Sequence, residues 1–148
     1  MSEKKLQLPA RLKAMEPFRV MTVMRRATEL EASGRKIVHM EVGEPDFSTA
    51  GPIIEAGVKA LDNGLTQYTA AEGIPELREA ISTHYQKRFG VQVDSDRIFI
   101  TPGASGGLVL CTNLLVNAGE GVLLCDPAYP CYRNFIHMVG AEPQLVPV

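Results

Sequence analysis

Between Asp96 and Val148 the sequence alternates short apolar runs, turn residues and amphipathic stretches, and this alternation restricts the chain more than any other feature. Arg97-Ile98-Phe99-Ile100-Thr101 reads as a strand, Pro102 to Gly107 as a turn and Leu108 to Val116 as an apolar helix. Ala118-Gly119-Glu120 is a loop, and Val122 to Cys125 reads as a second buried strand ending at Asp126-Pro127. Tyr132, Phe135, Ile136 and Val139 form one helical face closed by Gly140, and Leu145 to Val148 begins another strand. Strands alternating with helices predict an α/β fold, a mostly parallel sheet with flanking helices.

Upstream the punctuation favours helices. Phe18 to Ala32 carries Phe18, Met21, Met24, Ala27 and Leu30 at a spacing of three, with Pro17 at its entry and Gly34 at its exit. Helices are also predicted over Pro52 to Asp62, stopped by Gly64, and from Pro75 through Phe89, stopped by Gly90. Ile37 to Val42, an apolar-rich run before Gly43-Glu44-Pro45-Asp46, is predicted as a strand. The chain ends on an apolar strand-like segment with no polar tail. Natural sheets cover such edges, so Val148 is expected to lie inside a larger, here incomplete, domain.

Composition narrows the function classes. A chain of 148 residues, 45% hydrophobic, is long enough to build a core. Fifteen Lys and Arg against 17 Asp and Glu leave no basic excess, so neither nucleic acid nor an anionic membrane is an expected partner. No apolar run approaches the ~20 residues that span a bilayer. Met1 to Lys5 is charged and runs into Leu6 and Pro9 without the apolar core of a secretion signal. The three cysteines, Cys111, Cys125 and Cys131, lack Cys-x-x-Cys spacing, and reduced thiols in a cytoplasmic protein are expected. His39, His84 and His137 show no metal-ligand spacing, so no metal site is expected.

Four segments can carry chemistry. Thr101-Pro102-Gly103-Ala104-Ser105-Gly106-Gly107 lies between a predicted strand and helix. Its small residues let a ligand approach the backbone, the helix start offers free N–H groups, and Ser105 adds a hydroxyl. It fits neither the P-loop nor the dinucleotide fingerprint, and an anion site and a plain strand–helix turn both stay open. Asp126-Pro127-Ala128-Tyr129-Pro130 follows the next strand at its expected carboxyl end, where open α/β sheets bind ligands, so both loops are expected to border one crevice. Tyr129, between two prolines, either offers a flat face to an aromatic ligand or packs into its own turn. Gly43-Glu44-Pro45-Asp46-Phe47 is a carboxylate-binding turn or an ordinary Pro-Asp turn. Tyr68, before Gly73-Ile74-Pro75-Glu76-Leu77-Arg78, either donates to a phosphate or anchors a loop.

In order and spacing these segments resemble the class I/II aminotransferases, pyridoxal-phosphate (PLP) enzymes of fold type I, from about Arg11 to Val148. The resemblance implies that residues 1–50 form an N-terminal arm and part of the small domain. Residues 51–148 would then open the large PLP-binding domain. It implies that Gly103, Ala104 and Ser105 hold the cofactor phosphate and that Tyr129 stacks on the pyridine ring. Tyr68 would reach the phosphate in a neighbouring subunit's site, which makes a homodimer. Gly43 would offer its amide to the substrate α-carboxylate, and Asp126 would shape the loop. The expected substrates are an amino acid and a 2-oxo acid.

The family's Schiff-base lysine falls beyond residue 148, and none of Lys4, Lys5, Lys13, Lys36, Lys59 or Lys87 stands in a matching motif. No catalytic residue is therefore assigned in this chain, which alone is expected to be inactive. Other readings are a fold type I lyase or decarboxylase parent, a phosphate-ligand binding module without chemistry, and a dimerisation module.

Overall fold

The computed structural model describes residues 7–148, so the charged start from Met1 to Leu6 lies outside the described residues. By contact the chain forms two compact units. One gathers the chain up to Glu44 with Gly107–Val148; the other is Pro45–Gly106.

In the first unit, α1 (Arg19–Ala32) starts two residues after Pro17 and ends at Ser33. Its inward face carries Met24, Ala27 and Leu30, as the spacing predicts, while Met21 stays half exposed. Strand β1 (Gly121–Asp126) pairs in parallel with β2 (Glu142–Pro147), placing Gly121 opposite Glu142 and Asp126 opposite Pro147. Helix α5 (Cys131–Met138) is the crossover between them and packs on both strands. Pro143 and Pro147 fit in β2 because Glu142 and Val148 donate their N–H groups toward β1, to Glu120 O and Asp126 O, and the proline nitrogens, at alternate positions, turn away from that ladder. Residues of β1 alternate: Val122 and Leu124 face Tyr132, Phe135 and Ile136, whereas Leu123 is 70% exposed on the other face.

The second unit holds α2 (Gly51–Asp62) and α3 (Pro75–Phe89). Each has proline in its first turn, where a missing N–H costs nothing. Glu76 in the first turn of α3 and Lys87 and Arg88 in its last complement the helix dipole. Arg78 ties α3 to the following segment: its Nε donates to Ser95 O and Ile98 O, both at 3.0 Å. Ser82 adds a bond to Val93 O. Helix α4 (Gly103–Leu115) contains the boundary between the units.

Two expected strands do not form. Ile37–Val42 and the run from Arg97 to Thr101 form no strand; the latter begins in a 3-10 turn over Ser95–Arg97 and continues as extended chain. A strand needs a neighbour for its backbone groups, and β1 with β2 is the only ladder among the described residues. Ile100 makes a single such bond, its N–H donating to Glu72 O at 2.9 Å. A second difference concerns α4, which begins at Gly103 and absorbs the expected turn Gly103–Gly107.

Little is enclosed. Among the described residues only Ala27, Ile136 and Ala141 are buried. No helix among them is long and apolar enough to cross a membrane.

Candidate functional site

The start of α4 is built from backbone. Gly103 turns the chain with a φ of +69°, and a Cβ added there would meet nothing within 4 Å. Because α-helical bonds run from each N–H to the carbonyl four residues earlier, the amides of Gly103, Ala104 and Ser105 have no partner inside the helix. Thr101 Oγ1 donates to Gly103 O at 2.9 Å and braces the entry. Gly106 packs closely on it, since an added Cβ would lie 3.0 Å from Pro102 Cδ. Gly103, Ala104 and Ser105 are all exposed. Three N–H donors, one hydroxyl and no carboxylate among them make a donor set suited to an oxyanion. That set fits the phosphate of PLP.

Tyr129 sits in the loop between β1 and α5, in the other unit. Phe18 stands edge-on to its ring at 5.8 Å and 64°, and Tyr132 at 5.3 Å and 69°. Tyr129 is nonetheless 43% exposed. The neighbouring Cys131 side chain, followed by partial burial, pushes its phenol above the ordinary value. Asp126 pairs with Arg133 at 2.8 Å across the loop, and the Asp126–Pro127 peptide is cis. A cavity of about 440 Å³ opens beside this loop, lined by Pro17, Val20, Ala128 and Pro130 with Arg19 and Arg133. Arg19 lies 2.7 Å from Glu16, and its bond and charge hold that carboxyl below the usual range.

Gly43 lies in exposed loop of the first unit. The segment before it is fastened by His39, whose Nε2 lies 3.0 Å from Glu31 and whose Nδ1 lies 2.6 Å from Glu41. Bonds to Glu41 and then Glu31 raise the His39 pKa above its ordinary value. Tyr68 belongs to the second unit with Gly103, Ala104 and Ser105, and is fully exposed in the loop after α2.

The sequence pattern sets Phe18 on the apolar face of the first helix but not against Tyr129, and it does not single out Asn134. Asn134, on α5, bonds both backbone groups of Glu16, 118 residues away, a relation no local pattern announces.

The family of class I and II aminotransferases matches residues 35–148. A (5-formylfuran-3-yl)methyl phosphate transaminase of Methanocaldococcus jannaschii is 44% identical over 92% of this chain and 37% of its own length. A valine–pyruvate aminotransferase of Mycobacterium tuberculosis is 38% identical over 88% of this chain and 34% of its own. Among solved structures, an aminotransferase from Mycobacterium tuberculosis superposes with a TM-score of 0.91 at 35% identity, covering 97% of this chain and 37% of that one. Aspartate aminotransferase from Thermus thermophilus with maleate gives 0.90 at 30% identity, with the same coverage. The chain thus spans little more than a third of the length of the relatives it matches.

Proposed function

This chain belongs to the class I and II aminotransferases, and we propose that it is the N-terminal portion of a PLP-dependent enzyme moving an amino group from an amino acid to a 2-oxo acid. The donor set at the start of α4 carries this reading: three unpartnered amides and the Ser105 hydroxyl, all exposed, inside the segment matched by the family. The Gly103, Ala104 and Ser105 amides take the phosphate oxygens, and the Ser105 hydroxyl adds a charge-assisted bond. Tyr129 offers its free face to the pyridine ring, and its two edge-on neighbours limit how far that ring tilts. Bound there, the cofactor supplies an aldehyde that takes up the amino group and a ring that withdraws electrons from the substrate carbon.

The amide of Gly43 receives the substrate α-carboxylate. Tyr68, which leaves its whole side chain free, serves the phosphate of a second subunit, so the enzyme works as a homodimer. In the whole enzyme, residues 1–50 are the arm and part of the small domain, and residues 51–148 open the large domain. This chain's own residues bind and orient, and the proton-moving lysine comes from outside it. Three free cysteines fit a cytoplasmic setting. The relatives' names span valine, aspartate and a furan phosphate, so membership in the family leaves the donor unspecified.

The test uses the full-length protein, incubated with PLP, reduced with borohydride and weighed intact. One fixed cofactor per chain is expected. No adduct, together with equal affinities for PLP and for pyridoxal lacking the phosphate, overturns the assignment.

A further inference from the structure

Helix α5, which follows the loop that carries Tyr129, is tied to a part of the chain more than a hundred residues away. Asn134 turns its side-chain amide onto the backbone of Glu16. Its Oδ1 accepts from Glu16 N–H at 3.1 Å, and its Nδ2 donates to Glu16 O at 2.7 Å. A primary amide has one acceptor and one donor edge, so meeting both groups of one residue fixes that residue's orientation as well as its distance. Pro17 follows with its φ locked by the ring. Phe18 comes next, extended, at the entry of α1. The locked Pro17 φ removes one torsion from the short path between the clamp and the Phe18 ring, which stands edge-on to Tyr129.

We propose that Asn134 is a positioning residue: by clamping the Glu16 backbone it seats Phe18 against Tyr129 and so fixes the tilt of the ring that receives the cofactor. The inference rests on the stacking role proposed for Tyr129. It adds a specific route by which α5 and the segment before α1 act on the cofactor without touching it. The clamp lies near the surface, where water competes for both bonds, so it contributes little to global stability. A merely structural role would therefore appear as a small change in unfolding and nothing more.

The full-length holoenzyme is the material for the test, with the PLP dissociation constant and the visible circular dichroism of the bound cofactor as readouts. Asn134→Leu removes both bonds. Asn134→Asp keeps the acceptor and turns a second carboxylate oxygen toward Glu16 O, and it carries the test if the leucine variant does not accumulate. Each variant is expected to raise the dissociation constant several-fold, up to about tenfold, and to change the dichroic band. Pyridoxal lacking the phosphate should lose affinity by the same factor, because the ring contact is what has moved. Asn134→Leu combined with Phe18→Ala should be no worse than Phe18→Ala alone. Additive losses overturn the route through Phe18. Unchanged binding and dichroism in the Asn134 variants, with weakened binding in Tyr129→Ala, overturns the clamp and leaves the stacking role standing. Unchanged binding in Tyr129→Ala as well overturns both.

Discussion

Gly73 and Gly103 make the same demand on the backbone and meet opposite surroundings. Both have positive φ, +101° and +69°, in the region that L side chains avoid. At Gly73 an added Cβ would lie 2.8 Å from Ile100 Cβ, and Ile100 also bonds Glu72 O. At Gly103 an added Cβ would meet nothing within 4 Å. The protein fills the first space with its own side chain and leaves the second open at a helix N-terminus. A glycine pinned by its neighbours serves the fold. Gly34, Gly64, Gly90 and Gly119 are as open as Gly103, so what sets Gly103 apart is the free amides of the α4 start beside it.

The largest expected effect is at the filled site. Gly73→Ala brings left-handed strain of about 1–2 kcal/mol and overpacking of about 1–3 kcal/mol. Unfolding in urea should show a loss of about 3 kcal/mol, partly restored by a smaller residue at Ile100. A loss under about 1 kcal/mol would break the contrast. Next comes the open site: Ser105→Ala should weaken PLP binding by about 1.5–3 kcal/mol, the worth of a bond to a charged group, with stability unchanged. Pyridoxal without phosphate should bind both forms alike; an equal loss for the two ligands removes Ser105 from the phosphate. Smaller still is Gly103→Ala, which keeps the strain and lacks the clash, so about 1–2 kcal/mol of stability should go. A cost matching that of Gly73→Ala would mean that the space at Gly103 is not free.

The smallest effect concerns a turn held by charge. His39 joins Glu31 and Glu41 ahead of Gly43, and its pKa is raised above 6.5, first by the bond to Glu41. A raised histidine contributes stability that is whole below its unfolded value and fades as pH rises through the folded one. Glu41, lowered by the same bond, contributes above its ordinary range and loses this as pH falls through the folded value. The melting temperature of His39→Gln should therefore trail the wild type most between about pH 5 and 6.5 and converge with it in alkali. A gap of constant size across pH would show that charge plays no part.

Helices were legible where proline and glycine mark both ends. Pro75 and Gly90 bracket α3 as expected, and Gly140 follows α5. The β1 strand was legible from its apolar run, and β2 begins three residues ahead of the expected Leu145 because Glu142 to Gln144 already pair with β1. Ile37–Val42 and Arg97–Thr101 carry strand-like residues, yet a ladder depends on a partner that local sequence cannot name. Gly103–Gly107 misled in the other direction. Glycine and serine signal a turn, but only Gly103 turns, and the rest continue as helix. The candidate ligand-facing residues were singled out from sequence, whereas the Asn134–Glu16 clamp and the Phe18–Tyr129 contact depend on long-range packing.

The parallel pairing of β1 with β2 also bears on the order in which the chain acquires structure. Gly121 meets Glu142 across a crossover made by α5 alone, so closing that ladder joins points only about twenty residues apart and loses little chain entropy. Parallel pairings are slow to form when their strands are distant in sequence; this one is nearly as local as such a pairing can be. The β1–α5–β2 unit is thus suited to act as an early folding nucleus. The loop that carries Tyr129 would take shape inside that nucleus rather than wait for the end of folding.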